Sequence, residues 1–179
     1  MPRYVALLGA INVGGNQLRM EALRGALGDD GFADVATVVA SGNVLFQHSE
    51  AGDQALEERI AAVVKARFGI DTFAVVRSAP ELAAVLAESP FAGEGEDKLV
   101  HVHFLEAQPS PGQFDQLVAD HAGRGREKLA PGTRCLHVDY MDGVGNSKLT
   151  GPFIARRLGC RGTARNIRSI RRILDTMER

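Results

Sequence analysis

The chain has 179 residues, of which 45% are hydrophobic and 24% charged, and its formal net charge is −1. This composition is typical of a globular protein with one domain or two small ones, and its neutrality argues against a dedicated nucleic-acid or membrane-surface protein. No signal-peptide pattern is recognisable, and no apolar run approaches the roughly 18 residues that a membrane span needs. The two cysteines do not form a C-x-x-C pair, so the sequence predicts a soluble cytoplasmic protein without a disulfide framework.

The first half of the chain predicts alternating strands and helices. Residues 3–8 are apolar at nearly every position, which is typical of a strand in the centre of a sheet. Gly69 follows an amphipathic segment and is suited to end a helix. The resulting order, strand–helix–strand–strand–helix–strand, is that of a ferredoxin-like unit. The predicted strands are residues 3–8, 35–40, 44–47 and 72–77, and the predicted helices are residues 19–27 and 53–68.

The second half repeats this order in part. After a short helix at residues 80–87, the glycine-rich acidic segment 90–97 predicts a linker. In the half that follows the linker, no fourth strand is recognisable, and the chain ends in a helix. We therefore predict an α+β fold of two ferredoxin-like halves, residues 1–89 and 98–179, the second copy divergent. Its predicted strands are 99–105, 133–140 and a weak 144–149, and its helices are 111–122, one starting near Pro152, and 167–177.

A glycine-rich loop, Ile-Asn-Val-Gly-Gly-Asn at residues 11–16, joins the first strand to the first helix. Glycines there allow backbone N–H groups to converge near a helix N-terminus. The first two strands of a ferredoxin-like unit are parallel, so the turn at residues 41–43 should lie at the same end, about 10 Å away. These polar groups either bind an anionic or polar small ligand or cap their own turns. The candidate ligand-binding residues are Asn12, Val13, Gly14, Gly15, Asn16, Ser41 and Asn43.

Positive charge is concentrated near the C-terminus. Residues 146–179 contain nine Lys or Arg and two Asp or Glu, a net of +7, which leaves −8 for the rest of the chain. Helical spacing places Ile167, Ile170, Leu174 and Met177 on one side of the last helix and arginines on the other. The arginine side is either a solvated face or a docking surface for acidic groups. The possible basic surface comprises Lys148, Arg165, Arg168, Arg171 and Arg172.

A metal site is the next candidate. His101 and His103 share one face of a predicted strand, and Cys135 and His137 share one face of another, so a zinc-type set is conceivable. In the ferredoxin-like strand order we expect these two strands to be separated by two spacings, about 10 Å. That distance is too long for shared ligands, so we predict no metal and no cofactor.

Other candidate chemistry is weaker. Residues 143–148, Gly-Val-Gly-Asn-Ser-Lys, have the residue types of a phosphate loop, but a hairpin turn explains them as well. Ser41 has no recognisable catalytic partner, and Cys160 lies in a basic loop that favours a thiolate. The sequence therefore shows no catalytic constellation, and whether the chain is an enzyme stays open.

Several short segments together resemble a known family. They are residues 4–8, 11–16, 31–32, 41–44, 68–69, 90–91, 147–149 and 163–166. In this order they resemble the bacterial family called domain of unknown function 1697. The resemblance carries no catalytic residue to this chain. The family pattern has Arg-Gly where this chain has Gly9 and Ala10, and a tryptophan where it has Ile167. An activity that needs that arginine or tryptophan would be missing here.

Three classes of function fit these features. The leading interpretation is a module that binds a small anionic or polar ligand at the loop edge of the first half. An alternative is single-strand nucleic-acid binding on an open sheet face. The aromatic content of 6% argues against it, since the first strand of each half offers only one aromatic residue, Tyr4 or Phe104. A third is an interaction protein, a monomer or a homodimer, whose sheets pack against one another.

Overall fold

The computed structural model describes residues 1–9, 18–39 and 42–179. Within these residues the protein has a mixed α+β fold with two four-stranded antiparallel sheets and six helices. The chain divides into two compact units, one of residues 1–82 and 172–179 and the other of residues 83–171. In the described part of the chain, no helix is long and apolar enough to cross a membrane.

The first sheet has β1 near its centre. Its strands are β1 (Arg3–Leu8), β2 (Ala33–Thr37), β3 (Asn43–Gln47) and β4 (Ala74–Ser78), in the order β2-β3-β1-β4. Its helices are α1 (Met20–Asp29) and α2 (Gln54–Phe68), and α3 (Ala79–Glu88) follows β4. β1 is buried on both faces, as its continuous apolar run predicts.

Helix α2 shows how local sequence sets an element's ends. The Asp53 side chain accepts hydrogen bonds from the backbone N–H groups of Ala55 and Leu56, which caps the helix start. Gly69 takes a left-handed φ of 68° at the C-terminal end, as predicted. Between these ends, Leu56 and Ile60 pack into the core with the strands.

The second sheet has the same strand order as the first. Its strands are β5 (Val100–Leu105), β6 (Lys128–Gly132), β7 (Cys135–Asp139) and β8 (Gly162–Asn166), in the order β6-β7-β5-β8. The helices are α4 (Pro111–His121), α5 (Gly151–Leu158) and α6 (Ile167–Met177). Pro152 lies in the first turn of α5, as predicted.

Both outer strands of the second sheet differ from the sequence prediction. Residues 144–149 are not a strand, and β6 precedes β7 instead. β6 reads Lys-Leu-Ala-Pro-Gly, and Pro131 is tolerated because an edge strand needs hydrogen bonds on one side only. β8 is a fourth strand that the sequence analysis missed, since its residues Gly-Thr-Ala-Arg-Asn are largely polar and lie at the other edge.

Two helix faces also differ in detail. The apolar residues Phe114, Leu117 and Val118 of α4 predict its buried face, but Val118 is 49% exposed. His121 occupies the buried face with Phe114 and Leu117. In α6, Ile167, Ile170 and Met177 are buried as predicted, and Ile173 is buried in place of Leu174.

Candidate functional site

The residues that flank the predicted ligand site, Leu8 and Gly42, lie at one end of the first sheet. Six of the seven predicted ligand-binding residues lie outside the described residues: Asn12, Val13, Gly14, Gly15, Asn16 and Ser41. The structure therefore describes only the segments that flank them. The Leu8 N–H donates to the Gly42 carbonyl over 2.8 Å, and Leu7 pairs with Asn43 across β1 and β3. Leu8, just before the glycine-rich segment in sequence, therefore lies beside Gly42, the residue that follows Ser41.

The hairpin side of this edge contains an unusual backbone conformation. Val39 has φ of 51°, which is rare for a β-branched residue. Asn43 is buried, and its side-chain amide donates to the Val39 carbonyl over 3.2 Å. This hydrogen bond stabilises the turn that Asn43 belongs to. It is the kind of contact expected if Asn43 caps its own turn and does not bind a ligand.

The loop is entered through Gly9. Its N–H donates to the Phe73 carbonyl over 2.9 Å. A Cβ atom at this position would overlap the Phe73 ring, so glycine is required by close packing. An arginine, which the family pattern has here, would not fit unless the ring moved.

The predicted basic residues are in different environments. Lys148, Arg168 and Arg172 are exposed, whereas Arg171 forms an ion pair with Asp97. Arg165 is partly buried, and its guanidinium donates to the Thr163 hydroxyl over 2.6 Å. Burial lowers the pKa of Arg165 to about 10. Arg165 therefore differs from the exposed arginines of α6.

A cluster of three metal-binding side chains lies in the second unit. The Nε2 atom of His137 is 2.9 Å from Oε1 of Glu88, and Sγ of Cys135 is 3.4 Å from the same oxygen and 3.5 Å from that nitrogen. Cys135 and His137 lie on the same face of β7 because strand side chains alternate. Glu88 comes from the end of α3, 47 residues before Cys135 in sequence.

The strand spacing used to dismiss a metal site was wrong. β7 is the third strand of its unit and pairs directly with β5, so Val102 lies opposite His137. His101 and His103 are on the other face of β5, because they alternate with Val102. The prediction missed Glu88, which no motif links to Cys135 and His137.

Several donors hold Glu88 in its ionised form. Burial opposes ionisation, but hydrogen bonds from His137, from the hydroxyl and N–H of Thr133 and from Cys135 lower the pKa of Glu88 to about 2. The Glu88 side chain is 33% exposed, and His137 is fully buried. The cluster thus combines a partly exposed carboxylate with a buried thiol and a buried imidazole.

The opposite face of the second sheet carries a second buried polar group. His103 Nε2 is 2.9 Å from the Tyr140 hydroxyl, and the Ser147 hydroxyl donates to Glu127 over 2.9 Å. Burial and the charge of Glu127 raise the pKa of Tyr140 to about 12. A carboxylate beside Ser147 is unfavourable for phosphate, so the turn interpretation of residues 143–148 is the better one. Burial also raises the pKa of Cys160, contrary to the thiolate that its basic loop favours.

The family assignment rests on residues 1–137, which match the family described as "Protein of unknown function (DUF1697)". The chain belongs to this family. The matched range contains the glycine-rich loop and the Glu88, Cys135 and His137 cluster, whereas residues 147–149 and 163–166 lie beyond it.

A solved structure shares the fold. It is described as the structure of conserved bacterial protein SP0830 from Streptococcus pneumoniae, with a TM-score of 0.74 and 20% sequence identity. The similarity covers 100% of this chain and 99% of that one, and at this identity it concerns the fold alone. A comparison with curated proteins finds no match.

Proposed function

We propose that this protein is a cytoplasmic binding module for an anionic or polar small ligand at the loop edge of its first unit. The supporting observation is the hydrogen bond between Leu8 and Gly42, which brings the flanks of the glycine-rich loop and the Ser41 hairpin together. The thiol state of both cysteines fits a reducing compartment.

Helix α1 begins at Met20, four positions after the last residue of the glycine-rich segment, Asn16. Arg19 occupies its N-cap position and makes no side-chain hydrogen bond to the helix. In contrast, Asp53 caps α2 and Thr150 caps α5 through their side chains. The partial positive charge of the α1 N-terminus favours an anion, and the backbone N–H groups of Val13 to Asn16 would be its donors.

We also infer that the two units are duplicated ferredoxin-like folds. Both have the order strand–helix–strand–strand–helix–strand, and the equivalent strands lie in the same sheet order with antiparallel neighbours. The loop edge would then be a feature of one copy only, because residues 106–110 of the second unit contain no glycine.

The nucleic-acid alternative receives less support. Stacking on bases requires exposed aromatic rings. Tyr4 is 6% exposed and Phe104 is fully buried, so neither first strand offers such a ring. In the described part of the chain, the exposed large hydrophobic residues are Met1, Val118 and Val144. They are far apart in the sequence, so they do not favour the alternative of an interaction protein.

Titration with inorganic phosphate, followed by backbone amide NMR, tests the proposed site. We expect saturable shifts at residues 13–16 and 42, and we expect Asn12→Ala to weaken them. Asn146→Ala is the control, because it removes the side-chain amide of an asparagine in an exposed turn of the other unit. Shifts confined to the arginines of α6, or equal effects of both variants, would contradict the proposal.

A further inference from the structure

The Glu88, Cys135 and His137 cluster has the donor set of a transition-metal site. Thiolate, imidazole and carboxylate are all ligands of Zn²⁺, which prefers tetrahedral coordination. Metal–ligand distances of about 2.0–2.3 Å require neighbouring donor atoms to be about 3.3–3.6 Å apart. The two separations from Sγ, 3.4 and 3.5 Å, meet this requirement, and the 2.9 Å hydrogen bond between Nε2 and Oε1 needs to open by only a few tenths of an ångström.

A nucleophilic relay does not explain the same atoms. In a Cys–His–acid relay, the thiol contacts one imidazole nitrogen and the acid contacts the other. Here the thiol of Cys135 and the carboxylate of Glu88 both approach Nε2 of His137. The Nδ1 atom is buried and has no hydrogen-bond partner within the described residues. Three donors around one point are suited to holding an ion and unsuited to passing a proton along a line.

Gly132 leaves a space beside all three donor atoms. A Cβ atom built on Gly132 would lie 2.5 Å from Sγ of Cys135, 2.6 Å from Oε1 of Glu88 and 2.8 Å from Nε2 of His137. The φ angle of Gly132 is not positive, so its backbone conformation does not require glycine. Because Gly132 has no side chain, this point stays free of protein atoms. It is almost equally distant from the three donor atoms, and these distances are close to those of metal–ligand bonds.

The Glu88 side of the cluster is reachable from solvent, whereas Cys135 and His137 are fully buried. Glu88, Gly132 and Thr133 line a groove of about 520 Å³ together with residues of the 108–115 segment. The groove provides a path for an ion and room for a fourth ligand. A site with three protein ligands and one open position is the arrangement that catalytic zinc sites use.

We propose that Glu88, Cys135 and His137 bind one divalent transition-metal ion of the zinc type, with its fourth position open to the groove. On binding, Cys135 releases its thiol proton to solvent, and His137 binds the ion through Nε2 as a neutral imidazole with its proton on Nδ1. Because no described residue holds Nδ1 of His137, the site lacks the outer hydrogen bond that strengthens many zinc sites. The ion should therefore be removable by a chelator while the chain stays folded.

Cobalt(II) titration of the chelator-treated protein tests this proposal, because a thiolate–cobalt bond gives a charge-transfer band in the near ultraviolet. We expect one equivalent of Co²⁺ to produce the band and Zn²⁺ to abolish it. Cys135→Ser should remove the band, whereas Cys160→Ser, the matched control at the chain's other cysteine, should retain it.

Gly132→Ala keeps all three ligands but fills the space between them. We expect this variant to weaken Zn²⁺ binding by at least about 10-fold, comparable to the loss of an outer-shell contact. Glu88→Gln should also weaken Zn²⁺ binding. Because Glu88 is partly exposed, this variant is the second test of the site if another variant fails to fold. A wild-type protein without the band, or a band that survives Cys135→Ser, would overturn the proposal. Unchanged Zn²⁺ affinity in both Gly132→Ala and Glu88→Gln would do the same.

Discussion

At the scale of single residues, several buried polar side chains make contacts that connect distant parts of the sequence. Cys135 and His137 were recognisable from the sequence because strand alternation places them on one face. Glu88 was not, since its position at the end of α3 depends on how the unit packs and not on any local spacing. His103 similarly has its partner, Tyr140, 37 residues away.

His103 makes stability depend on pH. Burial, followed by the charge of nearby His101, lowers the pKa of His103 from an ordinary 6.5 to about 3. Between these values the unfolded chain binds a proton that the folded chain excludes. The free energy of unfolding should therefore fall as pH drops below about 6.5, by at most about 1.4 kcal/mol per pH unit from this group.

Urea unfolding between pH 7 and pH 5 measures this dependence. His103→Gln retains a side-chain donor for the Tyr140 hydroxyl but does not titrate. We expect its free energy of unfolding to decline less steeply with falling pH than that of the wild type. Parallel declines in the two proteins would show that His103 is not the responsible group.

At the scale of secondary-structure elements, buried ionic contacts fix helices on strands. Glu57 of α2 accepts a hydrogen bond from the Val76 N–H of β4 over 2.8 Å and lies 3.6 Å from the guanidinium of Arg77. The Arg77 and Glu57 side chains are only 9% and 5% exposed. This contact holds α2 against β4 in a fixed register.

Removing the Glu57 carboxylate tests this contact. Glu57→Ala leaves a buried arginine charge less well compensated, so we expect a loss of about 3–5 kcal/mol in the free energy of unfolding. Glu58→Ala is the matched control, because Glu58 is exposed and its carboxylate accepts a hydrogen bond from Gln54 on the same helix. The control should change stability by less than about 0.5 kcal/mol. Similar losses in the two variants would contradict the role of Glu57.

The elements also differ in how well the sequence predicts them. β1 was predicted from Arg3 to Leu8, as observed, because a buried central strand is apolar throughout. β6 and β8 were missed because edge strands pair on one side only and carry few apolar residues. Once β6 was missed, β7 was placed second instead of third in its unit, and that error produced the wrong distance between His137 and β5.

At the scale of the whole molecule, the two units combine a repeated strand order with different chemistry. The sequence of the first unit contains the glycine-rich segment and Ser41, and the second unit has the Glu88, Cys135 and His137 cluster. The family resemblance was recognisable from the sequence because the loop motifs recur in a fixed order. No ligand could be identified from the sequence, because recognition would depend on where the loop side chains point, and spacing in a sequence does not determine that.

The proposed ligand site is tested most directly by a native mass spectrum of protein purified without denaturation and treated with a chelator to remove metal ions. We predict a mass above that of the polypeptide, from one small polar molecule per chain. The added mass should disappear in the Asn12→Ala, Ser41→Ala double variant and remain in Asn146→Ala. A wild-type mass equal to that of the polypeptide alone, or an added mass that the double variant retains, would contradict the account.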